Sequence, residues 1–281
     1  MQTMVCLCLE ESRNMEKVVI IGGGVMGSIF CEALNKWDYD CNVTITNRNV
    51  EKLEVLKDKY PHFNITENNV DAIRNANIII LAVKPQGFDG LGGELKGAVG
   101  EDTLIISIMA GITIEKIKSK FGVKKVVRAM PNLGARVNKS MTVWTASNCN
   151  EDDAEMVSSL FVGIGKELCV DDEEMIDKAT AVSGSGPGFF FYILEQWLES
   201  IEALGFNKEE SKKLLLTTVD GSVELLKSDM DPGKFAKQVA SKGGTTEAGF
   251  KVLDEYKIQH IWSKVLQSAE NRAKELSDLD S

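Results

Sequence analysis

The stretch Lys17-Val18-Val19-Ile20-Ile21-Gly22-Gly23-Gly24-Val25-Met26-Gly27 decides the fold of this chain. β-Branched residues precede glycines at the spacing Gly22-x-Gly24-x-x-Gly27, a pattern that predicts a strand, a tight turn and the start of a helix. The backbone N–H groups of such a turn bind the phosphates of a dinucleotide, because the helix dipole favours negative charge there. Glycine triplets also occur in ordinary loops, so this interpretation needs support from the surrounding sequence.

Length and composition are those of a globular protein with two domains. The 281 residues are 43% hydrophobic and 26% charged, which is typical of folded domains that each bury a core. No apolar run reaches the roughly 18–20 residues that a membrane-spanning helix needs. The formal net charge of -10 argues against a nucleic-acid partner, which requires a basic face.

Cysteine and histidine usage argues against a metal site. The six cysteines, at positions 6, 8, 31, 41, 149 and 169, form no paired Cys-x-x-Cys motifs, and the chain has two histidines. We therefore expect reduced thiols and no bound metal.

Residues 1–14 lack the basic start and long apolar core of a signal peptide. We expect them to be an N-terminal extension, and we expect a cytoplasmic protein.

The residues after the second predicted strand favour NADPH as the cofactor. The run Asn42–Thr46 is β-like and ends before Asn47-Arg48, where an NAD-binding unit of this type carries an acidic residue. Arg48 can pair with the 2′-phosphate of NADPH, and Asn47 can donate a further hydrogen bond. NADH would then bind more weakly. A solvent-facing arginine at a strand end is the alternative.

Strands and helices alternate as far as residue 170. The predicted strand Asn77–Val83 is apolar on both faces, which is typical of a strand in the middle of a parallel sheet. The alternation predicts a doubly wound, mostly parallel α/β Rossmann domain over residues 15–170. Ligands of such sheets bind at the carboxyl ends of the strands. One crevice should therefore be bordered by Gly24, Asn47, Val83, Lys84, Ala110 and Asn132.

From residue 171 to residue 281 the hydrophobic period is that of helices. Asn207 with Glu210 predicts a capping box, and Asp231-Pro232 predicts another helix start. The segment Phe189–Trp197 is apolar nearly all round. We expect it to form a helix buried on more than one side. It would lie at the centre of an all-α domain or in a dimer interface, and we favour both together.

A second glycine turn, Lys242-Gly243-Gly244-Thr245-Thr246, repeats the design of the first. Its glycines expose backbone N–H groups and its threonine hydroxyls lie where a helix begins, so we expect it to hold a carboxylate or a phosphate. A plain connection between helices, with Thr245 as the N-cap, is the alternative. Close helix packing could likewise explain the glycines of Ser183-Gly184-Ser185-Gly186-Pro187.

Several motifs in the same order resemble the pyrroline-5-carboxylate reductase family. The likeness covers nearly all of residues 15–276 and is most specific in Asp177–Gly188 and in the Gly-Gly-Thr-Thr turn. The further motifs are Gly22-x-Gly24-x-Met26-Gly27, Asn47-Arg48, Asn69, Ala82-Val83-Lys84-Pro85-Gln86, Ser107-x-x-Ala110-Gly111 and Arg128-x-Met130-Pro131-Asn132. The resemblance implies a Rossmann domain and a helical domain, residues 171–281, that binds substrate and dimerises by interleaving. It also implies that dimers can assemble into rings.

The activity implied by the resemblance is the NAD(P)H-dependent reduction of the cyclic imine 1-pyrroline-5-carboxylate to L-proline, the last step of proline biosynthesis. A protonated C=N bond is already electrophilic, so the protein has chiefly to orient it. By the resemblance, the N–H groups of Gly243, Gly244 and Thr245 bind the substrate carboxylate. The Thr246 hydroxyl, the catalytic group, reaches the ring nitrogen.

The remaining implied site residues line the same pocket or hold the cofactor. Ser185 and Gly186 are implied to line the substrate pocket, and Gln238 and Glu173 are weaker candidates from the same region. The cofactor is implied to contact Gly22, Gly24, Val25, Met26, Gly27, Asn47, Arg48, Asn69, Ala82, Val83, Lys84, Pro85, Ala110 and Asn132.

Two departures from the family pattern bear on the substrate more than on the reaction class. Leu133-Gly134 stands where the family usually has Thr-Pro, and Lys242 stands where it usually has proline. Both losses of proline are expected to make their loops more flexible. Lys242 either points into solvent or favours a more acidic substrate.

Three other functions stay open at this point. One is the reduction of another cyclic imine acid. Another is a hydroxyacid dehydrogenase, which would use Lys178, on the helix before the Ser-Gly-Ser-Gly stretch, as its general acid. The last is a reductase-like regulator that binds NADP(H) without turnover, which the intact Gly-Gly-Thr-Thr turn disfavours.

Overall fold

The computed structural model describes residues 15–278, and the predicted N-terminal extension, residues 1–14, lies outside the described residues. The described chain divides into two compact units. One contains the residues up to Gly184 together with those from Glu270 on, and the other contains Ser185–Ala269. We refer to them as the sheet unit and the helical unit.

The sheet unit is built on one eight-stranded sheet with the order β3-β2-β1-β4-β5-β6-β7-β8. All neighbouring strands in the described chain are parallel except β6 and β7, which pair antiparallel. The strands are β1 (Glu16–Ile21), β2 (Cys41–Thr46), β3 (Asn64–Thr66), β4 (Ile78–Leu81), β5 (Leu104–Ser107), β6 (Val126–Met130), β7 (Ser140–Ser147) and β8 (Gly165–Cys169).

Both faces of the sheet are buried because its central strands are apolar at successive positions. On β1, Val18 and Ile20 belong to one core cluster, while Val19 and Ile21 belong to the other. The first cluster includes side chains of α1 (Val25–Asn35), α2 (Val50–Lys59) and α6 (Glu151–Val162). The second includes side chains of α3 (Asn69–Ile73), α4 (Phe88–Glu94) and α5 (Ile114–Phe121). The predicted doubly wound architecture is confirmed.

The chain beyond β8 is helical, as predicted. α7 (Glu174–Ala179) continues into a π-helical turn, Thr180–Gly184, and is followed by α8 (Gly186–Ala203), α9 (Lys208–Ser228), α10 (Pro232–Val239), α11 (Thr245–Glu255) and α12 (Ile258–Asp278). The predicted capping box at α9 is present, with Asn207 and Glu210 each accepting a backbone N–H. None of the described helices is both long and apolar enough to cross a lipid bilayer.

The helical unit has almost no core of its own, which differs from the prediction for α8. None of the residues of α8, α10 or α11 is buried, and α9 buries Ser211 and Leu215 alone. On α8, Phe191 is 55% exposed and Tyr192 65% exposed. A helix that is apolar all round but uncovered within one chain needs another surface to bury its side chains. The predicted burial at the centre of the domain is therefore wrong for a single chain.

Candidate functional site

The first glycine turn is fastened between the carboxyl ends of β2 and β4. The N–H groups of Gly22 and Gly23 donate to the carbonyl oxygen of Thr46 at 3.0 and 3.1 Å. Gly22 has a φ of +108°, and a Cβ placed on it would lie 2.7 Å from the carbonyl oxygen of Ala82. Only glycine fits this position, since both the dihedral angle and the space exclude a side chain.

The other two glycines of the motif differ in their surroundings. A Cβ on Gly27 would lie 1.9 Å from the carbonyl oxygen of Gly22, so α1 packs directly on the turn. Gly24, the N-cap of α1, has open space at its Cβ position. The first backbone hydrogen bond of α1 runs from the Ser28 N–H to the Gly24 carbonyl at 2.9 Å. The N–H groups of Val25 and Met26 thus have no partner within the helix, an arrangement that suits a pyrophosphate.

Asn47 and Arg48 follow β2 at the same edge of the sheet. The Asn47 side chain lies beside the turn, with its Nδ2 3.1 Å from the Cβ position of Gly23, and its Oδ1 accepts from the Asn49 N–H at 3.0 Å. Arg48 is exposed and forms no ion pair with another described residue. Its guanidinium is therefore free to bind an anionic ligand at this edge.

The remaining predicted cofactor contacts also follow carboxyl ends of strands. Ala82 and Val83 touch the glycine turn, and Lys84 and Pro85 follow them at the start of a 3₁₀ turn. Asn69 begins α3 after β3, and its Nδ2 donates to Glu94 at 3.2 Å. Ala110 and Asn132 lie beyond β5 and β6. The structure brings Asn47, Ala82 and Val83 against the glycine turn, and Lys84, Pro85, Asn69, Ala110 and Asn132 follow strand ends at the same edge of the sheet.

Hydrogen bonds on both sides of Gly134 hold the Asn132 turn. Asn132 Oδ1 accepts from the Gly134 N–H at 2.9 Å, and the Gly134 carbonyl accepts from the Lys139 N–H at 2.9 Å. A Cβ on Gly134 would lie 2.5 Å from the Lys139 carbonyl oxygen. Proline lacks the N–H group and does not fit here. The expectation that Leu133-Gly134 makes this loop more flexible stays a prediction.

A cavity of about 580 Å³ adjoins the first glycine turn and contains basic residues that the sequence analysis missed. Its lining includes Gly23 and Gly24, the basic side chains of Lys52, Lys59 and Arg136, and the carboxylates of Glu32 and Glu51. Arg136 belongs to the 3₁₀ turn that Asn132 caps. The sequence signal for Arg136 was a basic residue soon after the end of a predicted strand.

A second cavity lies at the amino ends of the strands. It is lined mainly by carboxylates, among them Asp38, Asp40 and Asp102, which would repel phosphates.

The second glycine turn, in the helical unit, has only some of its N–H groups unbonded. Gly243, with a φ of +73°, donates to the Glu247 carboxylate, and Gly244 donates to the Ser241 carbonyl at 2.9 Å. The first backbone bond of α11 runs from the Ala248 N–H to Gly244. The N–H groups of Thr245 and Thr246 therefore have no partner within the helix.

The two threonine hydroxyls of this turn are also unengaged. Gly244, rather than Thr245, is the N-cap of α11, and it makes no side-chain capping bond. No hydrogen bond joins the Thr245 or Thr246 hydroxyl to another described residue. The alternative of Thr245 as the N-cap is therefore wrong, because Thr245 already lies in the first helical turn. Lys242 is exposed.

The Ser-Gly-Ser-Gly segment lies where α7 gives way to α8. Ser185 caps α8 with its backbone carbonyl, which accepts from the Gly188 and Phe189 N–H groups, and Gly186 has open space at its Cβ position.

The weaker candidates lie outside this segment. Glu173, before it, forms an ion pair with Arg128, and the Nζ of Lys178 lies 3.9 Å from the Sδ of Met175. Gln238 lies on α10, beside Lys234 and Lys237.

Two thiols of the sheet unit, Cys31 and Cys149, are chemically quiet. Cys31 lies on α1, and burial raises the pKa of its thiol to about 12. Burial likewise raises the pKa of Cys149 to about 11. Both thiols are protonated at neutral pH and therefore poor nucleophiles.

Two protein-family models match this chain in succession. Residues 17–111 match a family described as NADP oxidoreductase, coenzyme F420-dependent. Residues 173–276 match the pyrroline-5-carboxylate reductase dimerisation family.

Individual relatives match over nearly the whole chain. A pyrroline-5-carboxylate reductase of Staphylococcus aureus is 31% identical over 270 residues, which are 94% of this chain and 99% of the relative. The solved structure of a pyrroline-5-carboxylate reductase from Coxiella burnetii is 34% identical, with a TM-score of 0.83 over 94% of this chain and 99% of that one. A Plasmodium falciparum pyrroline carboxylate reductase with NADP bound is 26% identical, with a TM-score of 0.81 and the same coverage.

Proposed function

This chain belongs to the pyrroline-5-carboxylate reductase family, and we propose that it reduces 1-pyrroline-5-carboxylate to L-proline with NADPH. The observation that carries this function is the pair of glycine turns, each at the N-terminus of a helix with unbonded N–H groups. One turn suits the phosphates of the cofactor, and the other suits the carboxylate of the substrate.

The residues of the sheet unit fit NADPH. A Cβ on Gly24 would occupy the open space beside the Val25 and Met26 N–H groups, which is where a pyrophosphate would be held. Arg48 would bind the 2′-phosphate, because it is exposed and unpaired among the described residues. Ala110 and Asn132 would border the nicotinamide, which supplies a hydride when NADPH is bound.

The second turn would orient the substrate. The Thr245 N–H is free to bind the carboxylate at once, whereas the Gly243 and Gly244 N–H groups already have acceptors. The Thr246 hydroxyl would hold the ring nitrogen, and Ser185 and Gly186 would line the pocket. A protonated imine is electrophilic without a metal or a nucleophile, so orientation is the main task of these residues.

Turnover in the presence of defined substrates tests this function. NADPH oxidation should be fastest with 1-pyrroline-5-carboxylate in a panel of cyclic imine acids and keto acids. A preference for another imine, for which exposed Lys242 is the candidate determinant, would replace the proposed substrate. NADPH binding without turnover of any compound would contradict an enzymatic function and favour a regulator.

A homodimer formed through the helical unit accounts for its exposed apolar side chains. Phe191 and Tyr192 on α8, and Leu216 on α9, are more than half exposed in one chain, and burying such residues against a second copy is favourable. Sedimentation equilibrium should give a dimer or a closed ring of dimers, and a stable monomer would contradict the assignment.

The division at residues 170 and 171 into a cofactor domain and a substrate domain stays a prediction, as does a cytoplasmic location.

A further inference from the structure

Arg128, on β6, is the largest of the fully buried side chains in the described chain, and both of its partners come from the segment around α7. Its Nη1 lies 2.9 Å from Glu173 Oε1, and its Nη2 lies 2.6 Å from Asp177 Oδ1. Asp177 is itself buried. One guanidinium thus fixes the first turns of α7 against the sheet through charge-assisted hydrogen bonds.

Glu173 connects a third segment to this arrangement. Its Oε1 also accepts a hydrogen bond of 2.8 Å from the Ile114 N–H at the beginning of α5. The loop before α5 contains Ala110 and Gly111. The Arg128 cluster, which we define as Arg128, Glu173 and Asp177, therefore joins β6, α7 and the end of the loop that follows β5.

A second contact holds the other end of the same segment. Gly184 closes the π-helical turn that continues α7, and its Cβ position lies 3.3 Å from Met130 Cγ. Met130 lies two residues after Arg128 on β6, so both side chains lie on the same face of that strand. Strand β6 thus supports the segment Glu173–Gly184 at both ends.

The chemistry of the cluster favours positioning over stability. A single guanidinium faces two carboxylates, and the buried Arg128 Nε has no hydrogen-bond partner in the described chain. Burying charges is costly, and well-packed apolar side chains of similar volume often stabilise a fold equally well. The forked geometry of arginine, by contrast, fixes direction as well as distance.

We propose that Arg128 is a positioning residue for the reduction reaction. Through Glu173 and Asp177 it sets the position of the π-helical turn, and this turn leads directly into Ser185 and Gly186. Strand β6, which carries Arg128, leads into Asn132. The Glu173 carboxylate also holds the start of α5, which follows Ala110. The cluster thereby fixes segments predicted to contact the nicotinamide and the segment that leads to the substrate pocket. This inference rests on the proposed function.

Asp177→Asn and Glu173→Gln test the inference, with Asp153→Asn as the matched control. Asp153 pairs with Lys125, just before β6, at 2.8 Å and is part of the capping box of α6, so its loss weakens the fold without touching Arg128. We expect Asp177→Asn to lower kcat/KM for 1-pyrroline-5-carboxylate by about tenfold to a hundredfold, as a misplaced substrate would. The dissociation constant of NADPH should change less than kcat/KM, because the hydrogen bonds of the cluster join Arg128, Glu173, Asp177 and Ile114 and not the glycine turn that would hold the pyrophosphate.

Hydrogen exchange gives a readout that does not depend on turnover. In Asp177→Asn the amides of Thr180–Gly184 should exchange faster, whereas in Asp153→Asn they should exchange as in the wild type. Arg128→Lys keeps the charge without the forked geometry, and its exchange rates should lie between those of the wild type and Asp177→Asn.

If both carboxylate variants lost only thermal stability and kept wild-type kcat/KM and exchange rates, the role of the cluster would be purely structural. If the wild type turned over no imine while Asp177→Asn still exchanged faster, the proposed function would fail and the structural part of the inference would stand.

Discussion

The carboxylate of Glu247 accepts a hydrogen bond of 2.5 Å from the backbone N–H of Gly243, so the second glycine turn binds an anion supplied by its own helix. Glu247 lies in the first turn of α11, where the helix dipole favours a negative charge. A substrate carboxylate that uses the Gly243 N–H must displace this side chain. If the substrate binds as proposed, its carboxylate and Glu247 would compete for one donor.

Replacing Glu247 by alanine should lower the KM for 1-pyrroline-5-carboxylate by about threefold to tenfold, which corresponds to less than about 1.4 kcal/mol. The loss of the charge at the helix N-terminus should cost about 0.3–1 kcal/mol of stability. Steady-state kinetics and thermal unfolding measure the two effects, and Glu247→Gln, which keeps an acceptor without the charge, should lie between. A higher KM in the alanine variant would mean that Glu247 instead preorganises the turn.

The glycines of the first turn should respond differently to alanine. Gly24→Ala places its methyl group in open space, so stability should change by less than about 1 kcal/mol, while NADPH and NADH should both bind at least about tenfold more weakly. Gly27→Ala brings a methyl group against the Gly22 carbonyl and should cost about 1–3 kcal/mol of stability or more. Calorimetric titration and thermal unfolding distinguish these results. Unchanged cofactor affinity in Gly24→Ala would move the pyrophosphate elsewhere.

Removing the Arg48 side chain should weaken NADPH and spare NADH. A charge-assisted bond to the 2′-phosphate is worth about 1.5–3 kcal/mol, so Arg48→Ala should raise the dissociation constant of NADPH by roughly tenfold to a hundredfold. Arg74→Ala is the matched control, because this exposed arginine follows α3 and pairs with Asp71. Equal losses for both cofactors in Arg48→Ala would show that Arg48 does not read the 2′-phosphate.

Local signals in the sequence were sufficient to predict much of the structure of the sheet unit. The spacing of Gly22, Gly24 and Gly27 predicts a turn whose need for glycine is steric at Gly22 and Gly27. In the helical unit, Asn207 accepts backbone N–H groups at the start of α9, as the predicted capping box requires. Such features depend on neighbours within a few residues, which a single sequence displays.

Features that join distant residues could not be predicted. Arg128 finds its partners 45 and 49 residues further along the chain, and nothing near it in the sequence distinguishes a buried arginine from an exposed one. The need for Gly134 arises from the Lys139 carbonyl, which a turn of unknown geometry brings close. The apolar pattern of α8 predicts burial but does not reveal whether the covering surface belongs to the same chain.

The Thr246 hydroxyl is expected to contribute to the chemical step and not to cofactor binding. Thr246 is half-buried in the first turn of α11, and its hydroxyl has no partner among the described residues, so it is available to the ring nitrogen of the imine. Thr246→Val keeps the shape without the hydroxyl and should lower kcat by about tenfold to a hundredfold, the equivalent of one hydrogen bond to a charged group. Thr246→Ser should retain most activity, and the dissociation constant of NADPH should match the wild type in both variants. Parallel losses of turnover and NADPH affinity in Thr246→Val would refute this role, because they would indicate a general disturbance of the fold.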